Sequence, residues 1–270
     1  MLEKIWLEQE REEHFAACLV LSAVFTFASI VIARYFVPFK VAGQTLTGLI
    51  AVVLASLAAS YPLIKYLEEE ETEETEQEKK GKLKNEFDLL ERHREELYIY
   101  LAFFLGATLA FGVAYSFMPD AFETQREVIG SIRPDMATGR VISPSFFMEI
   151  FTNNASVFFT TLLLSFFLTA GMVFILVWNA SILGVFLSEI TQGLIDLPVV
   201  ALSYLPHGIL EVAAYITAGL SGFFLSHEVK EVVEWEEKSC AIKLMMDSFI
   251  LLGIGLGLLI LAAVIESAGV

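Results

Sequence analysis

Long apolar runs recur along this chain: Phe15–Phe36, Val41–Leu67, Leu97–Met118, a stretch from about Pro144 to about Trp178, and Leu244–Ile265. A helix needs about 20 apolar residues to cross the hydrocarbon core of a bilayer. Each of these runs is that long, so each reads as a transmembrane helix. The composition agrees: 56% of the 270 residues are hydrophobic, and the mean hydropathy is +0.66. A soluble domain is less apolar than this. The N-terminus does not read as a cleaved signal, because residues 3–13 are rich in Glu and the run behind them is too long for a signal core.

A sixth run, Leu205–Leu225, is unusual. It opens with Pro206, which suits the first turn of a helix, where an N–H has no partner anyway. His207 and Glu211 follow at i and i+4, so they share a face. Ala214, Ala218 and Gly222 continue that face. Small residues at this spacing let a second helix approach closely in lipid. One helix therefore offers a packing seam with two ionisable groups at its head. Gly253 and Gly257 make a second small pair in the last run.

Asn179–Tyr204 is long enough to cross the membrane, yet it holds Glu189, Gln192, Gly193, Asp196 and Pro198. The expected helix breaks near Gly193. The segment near 180–204 therefore either crosses as a broken span or re-enters on the same side. With it, the chain has about seven spans.

The net charge of -16 is concentrated at the N-terminus, around 68–96 and around 228–237. No basic patch exists to hold nucleic acid. Glu68 to Glu96 begins with Glu68–Glu71, Glu73, Glu74, Glu76 and Glu78, whose mutual repulsion implies a mobile first half. Leu83, Phe87 and Leu90 then predict a helix leading into the third span. Cys18 and Cys240 have neither disulfide nor metal-ligand spacing and read as packing residues. Lys65, Lys79, Lys80, Lys82, Lys84, Arg92 and Arg94 put the charged segment in the cytoplasm. That places the N-terminus inside and the polar loop 119–144 outside, in a multi-pass protein of the cell membrane.

From Asn153 onward the chain resembles the stage II sporulation protein M family of integral membrane proteins. The matching pieces are Asn153-Asn154, Gly171, Asn179-Ala180 with Gly184, Pro206-His207-Gly208 with Glu211, Ala218-Gly219 and Gly222. Ala180 stands where the family usually has Gly, and Glu189–Asp196 finds no counterpart. The resemblance covers roughly residues 97–265. It implies three parts: a two-helix addition within 1–67, the charged segment 68–96, and a family domain over 97–270. It also implies a membrane component of an envelope-remodelling complex, a scaffold whose peptidoglycan hydrolases are separate proteins.

Ionisable side chains inside a span cost about 2.5–3.5 kcal/mol each on insertion scales. Glu189, Asp196, His207 and Glu211 are therefore candidates for a polar network with Asn153, Asn154 and Asn179. An ion or proton path, or placement at the headgroup level, is the alternative reading of the same residues. Enzyme signatures are missing: there is no His-Glu-x-x-His, no Gly-x-Ser-x-Gly and no phosphate loop. The expected fold is an all-α transmembrane bundle. The expected function is a non-enzymatic scaffold without cofactors, bound to lipid and to membrane or cytoplasmic proteins, with a homo-oligomer also compatible. A transporter or channel through the Glu189–Asp196–His207–Glu211 region is the alternative.

Overall fold

The structure is a computed structural model that describes residues 11–41, 44–79, 93–132, 144–191, 197–234 and 238–268. It is an all-α bundle. The helices are α1 (Arg11–Tyr35), α2 (Thr47–Lys79), α3 (Arg94–Phe117), α4 (Glu123–Ile132), α5 (Pro144–Phe167), α6 (Gly171–Ile190), α7 (Leu197–Glu234) and α8 (Lys238–Ser267). Seven of them, all but α4, are long and apolar enough to span. A two-residue hairpin, Lys40–Val41 against Gln44–Thr45, joins α1 to α2.

Close backbone approach sets the packing, as expected where lipid removes any hydrophobic drive between helices. Helix α1 lies along α3: Cys18 Sγ donates to the Ile99 carbonyl at 3.3 Å, and Ser22 Oγ donates to Phe103 at 2.6 Å. Gly106 makes room for this, since a Cβ there would collide with the Leu19 carbonyl. Helix α3 meets α6 just as closely. Gly112 faces Gly184 across the seam, and Ser188 Oγ donates to the Gly112 carbonyl at 2.9 Å. Helix α5 runs beside α7, where Ser165 Oγ donates to Gly219 at 2.7 Å. Helix α8 completes the group by packing along α7, and α6 touches both halves of the bundle.

At one end of the bundle the connections are clasped by polar contacts. Arg34 pairs with Asp120 at 2.7 Å, and the Thr45 N–H donates to Glu123 at 2.7 Å. Arg126 reaches Glu189 at 3.4 Å. We call this the hairpin end; the opposite one is the His93 end.

Three expectations change. The fourth apolar stretch is not one helix to Trp178. It ends at Phe167 and turns back, with the Gly171 N–H donating to Leu168 at 2.6 Å. Gly171 is what permits the corner, because any side chain would strike the Leu164 backbone. Helix α6 is then an unbroken span, and the interruption in 180–204 falls between two spans instead of inside one. Pro206 does not start a helix; it lies inside α7. Spanning helices tolerate such a proline because neighbours and local adjustments satisfy the freed carbonyl.

The acidic run also differs. Helix α2 continues through Glu68–Glu78 to Lys79. A span already formed removes the nucleation penalty, so each added residue only propagates the helix. Glu is itself a good helix former, and Lys65 and Glu69 pair at i,i+4, 3.5 Å apart. Within the polar loop, Pro119–Phe122 forms a 3-10 turn that leads into α4. Residues 1–10 and 80–92, which contain most of the predicted lead-in helix, lie outside the described residues.

Candidate functional site

Helix α7 positions the site. His207 and Glu211 lie one turn apart on it, and His207 is buried, 7% exposed. Its ring meets Tyr204 edge-on at 5.8 Å, and Tyr204 meets Phe186 of α6 at 5.2 Å. His207 Nδ1 is buried without a hydrogen-bond partner among the described residues. Glu211 accepts a hydrogen bond from the Asn154 amide of α5, and Asn153 donates to Asn154 at 3.3 Å. Asn154 and Glu211, distant in sequence, thus meet across the α5–α7 seam, with His207 one turn away against Tyr204.

Below them the small residues do what their spacing suggests. Ala214 and Ala218 are fully buried. A Cβ on Gly222 would collide with the Leu162 carbonyl of α5, and one on Gly219 with Met172 of α6.

The other sequence candidates lie elsewhere. Asn179 turns back to its own helix, donating to Ile175 at 2.8 Å. Glu189 pairs with Arg126 at the hairpin end, with more than a third of its side chain exposed. Asp196 and Gln192 lie outside the described residues. Gly253 and Gly257 of α8 have open space around them, with nothing within 4 Å of a Cβ built on either. Among the described residues they pack against nothing. Gly255 makes the contact instead, against Thr217 and Phe158.

The match to known proteins follows the same helices. The family described as Stage II sporulation protein M matches residues 97–268. The chain belongs to the stage II sporulation protein M family. The match takes in α3 to α8, so α1 and α2 precede the sporulation protein M segment and dock on it. No curated protein and no solved structure matches the chain.

This family member has a second buried polar group, at the His93 end, that sequence reasoning passed over. His93 Nδ1 lies 3.1 Å from Glu96 Oε1, and the two residues are 2% and 1% exposed. The His93 ring lies against Phe224 of α7, with centroids 5.1 Å apart. Nearby on α7 and α8, Ser248 Oγ donates to the two Glu228 oxygens at 3.3 and 3.4 Å, and Asp247 is buried as well. The available signals were faint. His93 and Glu96 sit at i,i+3 before an apolar run, and Asp247 interrupts the start of the last span.

Gly257→Ile separates the two uses of a small pair in this sporulation protein M family member. Since its Cβ meets nothing among the described residues, the substitution should leave the stability of the detergent-purified protein nearly unchanged, within about 0.5 kcal/mol. A drop in melting temperature comparable to that of a core glycine would refute the open-face geometry. Loss of a cross-linkable dimer at unchanged melting would assign the face to a second copy.

Proposed function

We propose that this protein is a non-enzymatic membrane scaffold that presents an acidic helical arm to basic partner segments on the cytoplasmic side. The observation that carries the reading is the length of α2. Its spanning part ends at Glu69, yet the helix goes on to Lys79 through Glu70, Glu71, Glu73, Glu74, Glu76 and Glu78. A helix rising about 1.5 Å per residue holds that charge about 15 Å clear of the span. A concentration of one sign of charge steers partners of the opposite sign. Family membership agrees with a membrane component that acts through partners.

The arm tests the reading. A photo-crosslinker placed at Thr75 in cells should give a discrete protein adduct. Reversing Glu73, Glu74, Glu76 and Glu78 to Lys should abolish it without changing the amount of protein in the membrane. An arm that never crosslinks, or crosslinks equally after charge reversal, is not a docking element.

The same reading carries an orientation. Seven alternating spans put Lys65, the lysines 79–84, Arg92, Arg94, Lys230, Lys238 and Lys243 on one side. Arg34, Lys40, Arg126, Arg133 and Arg140 fall on the other. Positive residues favour the cytoplasm, so the His93 end is the cytoplasmic one and the chain runs from an inside N-terminus to an outside C-terminus. In a background lacking Cys18 and Cys240, a cysteine at Thr138 should label from outside and one at Thr75 should not. The opposite pattern inverts the topology.

A further inference from the structure

A span that gives most of its surface to lipid has to be strongly apolar. Helices α1 and α8 obey this: only 28% and 33% of their apolar stretches are buried, and they are the two most apolar spans. Helix α5 does the reverse. It is the least covered of the seven spans, with 22% of its apolar stretch buried, and it is also the least apolar. The polar residues responsible are not all turned inward. Glu149, Thr152, Asn153, Ser156 and Thr160 are exposed. Thr152, Ser156 and Thr160 stand at i, i+4 and i+8, so they share a face, with Glu149 and Asn153 beside them. That face lies opposite Asn154, Phe158, Thr161 and Ser165, the buried side of the helix.

A serine or threonine inside a helix can place its hydroxyl proton on the carbonyl one turn back. Thr161 does so on the buried side of α5, donating to Val157 at 2.8 Å. Thr108 of α3 does the same with Phe104 at 2.8 Å. Thr152, Ser156 and Thr160 form no side-chain hydrogen bond among the described residues. Asn153 gives one amide proton to Asn154 at 3.3 Å, and its side-chain oxygen accepts nothing among them. Over the roughly 12 Å from Thr152 to Thr160, the helix therefore turns a column of open donors and acceptors outward. Such groups are costly in hydrocarbon, and in membranes a second helix satisfies them. Leu163 and Phe167, 55% and 75% exposed, carry the face on as an apolar tail.

We propose that this face of α5 is a homodimer seam, packed against α5 of a second copy about a two-fold axis along the membrane normal. Two features select a copy over a foreign helix. Each hydroxyl and the amide both donates and accepts, so the face is complementary to itself, as a two-fold interface requires. A copy also inserts in the same direction, so its polar groups arrive at the same depth and its Leu163 and Phe167 meet their equals. Glu149 lies two residues from Phe147, where the span begins, so two such carboxylates sit at the water edge of the seam and not within it. The seam is tied to the interior as well: Asn153 donates to Asn154, and Asn154 to Glu211 of α7. The open face of α8 around Gly253 and Gly257 is different, because Met246, Phe249, Ile260 and Val264 make it apolar throughout, which suits lipid.

The test uses the full chain, with Cys18 and Cys240 replaced by Ala, in cell membranes. Ser156→Cys and Thr160→Cys, made one at a time, should each give a disulfide-linked dimer on oxidation. Val24→Cys of α1, 57% exposed, and Gly257→Cys of α8 should stay monomeric. In phosphatidylcholine vesicles, energy transfer between two fluorescently tagged forms of the chain should fall as lipid dilutes them. Changing Thr152, Ser156 and Thr160 together to Leu should raise the dissociation constant of the dimer about tenfold or more. Melting in detergent, at a dilution where both proteins are monomeric, reports folding, and Ser156→Leu alone replaces the triple variant if that does not fold. Wild-type chains that show no energy transfer at any dilution overturn the proposal, and so does a folded Leu variant that dimerises like wild type. Dimers from Gly257→Cys or Val24→Cys but not from Ser156→Cys and Thr160→Cys move the seam to another helix. A Ser156→Cys adduct with a protein of different mass, in place of the dimer, gives the face to a foreign helix; either result refutes the self-pairing. The arm crosslink from Thr75 is read separately, so failure of the scaffold reading and failure of the seam are told apart.

Discussion

Gly184→Leu should lower the melting temperature of the detergent-purified protein by roughly 10 °C. The glycine lies where α3 and α6 nearly touch: a Cβ there would strike the Thr108 carbonyl and approach the Gly112 nitrogen. These are backbone atoms of another helix, so no rotamer change relieves the clash. Forcing a side chain between packed backbones costs about 3 kcal/mol or more, and in a chain of this size each kcal/mol shifts the midpoint by a few degrees. The Ser188 bond to the Gly112 carbonyl, 2.9 Å long, would be lost with the spacing. Gly130, which has open space around it, is the matched control. Equal melting for Gly184→Leu and Gly130→Leu would mean that α3 and α6 do not touch at this point.

Glu211→Ala should also destabilise the protein, by about 1–3 kcal/mol and more if the carboxyl is ionised. It strips Asn154, itself 8% exposed, of the acceptor its amide uses. Asn154→Ala should cost a similar amount. The informative quantity is the double variant. Two groups in direct contact give a coupling of about 0.5–3 kcal/mol, so losing both should cost less than the two single losses added. Thermal unfolding of the four proteins measures this, with Glu69→Ala as an exposed control. Strict additivity would dissolve the contact between α5 and α7 at this level.

Much of this was legible before any coordinates. Spans are set by length and hydropathy, because lipid leaves the backbone few choices. The stripe Ala214–Ala218–Gly222 could be read as a seam because only another helix makes use of missing side chains. What sequence could not supply was the partner of each face. Gly253-x-x-x-Gly257 has the same spacing as a true seam, yet the helix presents Gly255 to its neighbour instead. Spacing fixes a face but not its direction. The turn at Leu168–Ala170 was missed because its flanks are uniformly apolar, and Gly171 marks a corner only once Leu164 is known to lie beneath it. The His93–Glu96 pair was hidden for another reason. Its residues look like the ordinary charged lip of a span, and only the fold brings Phe224 over them.

The pairing of α5 mainly with α7, and less with α6 beside it in sequence, bears on how the chain is made. Membrane helices leave the ribosome in order, and in a nascent α5 Leu162 and Ser165 wait for Gly222 and Gly219 until residues beyond Ile190 have followed. A chain halted after α6 would hold Asn154 in lipid or at the insertion machinery, with its amide unanswered. The last two spans therefore close a gap left open by the earlier ones. A nascent chain cut short at residue 191 should be held by quality control, whereas one extended past Phe224 should be released.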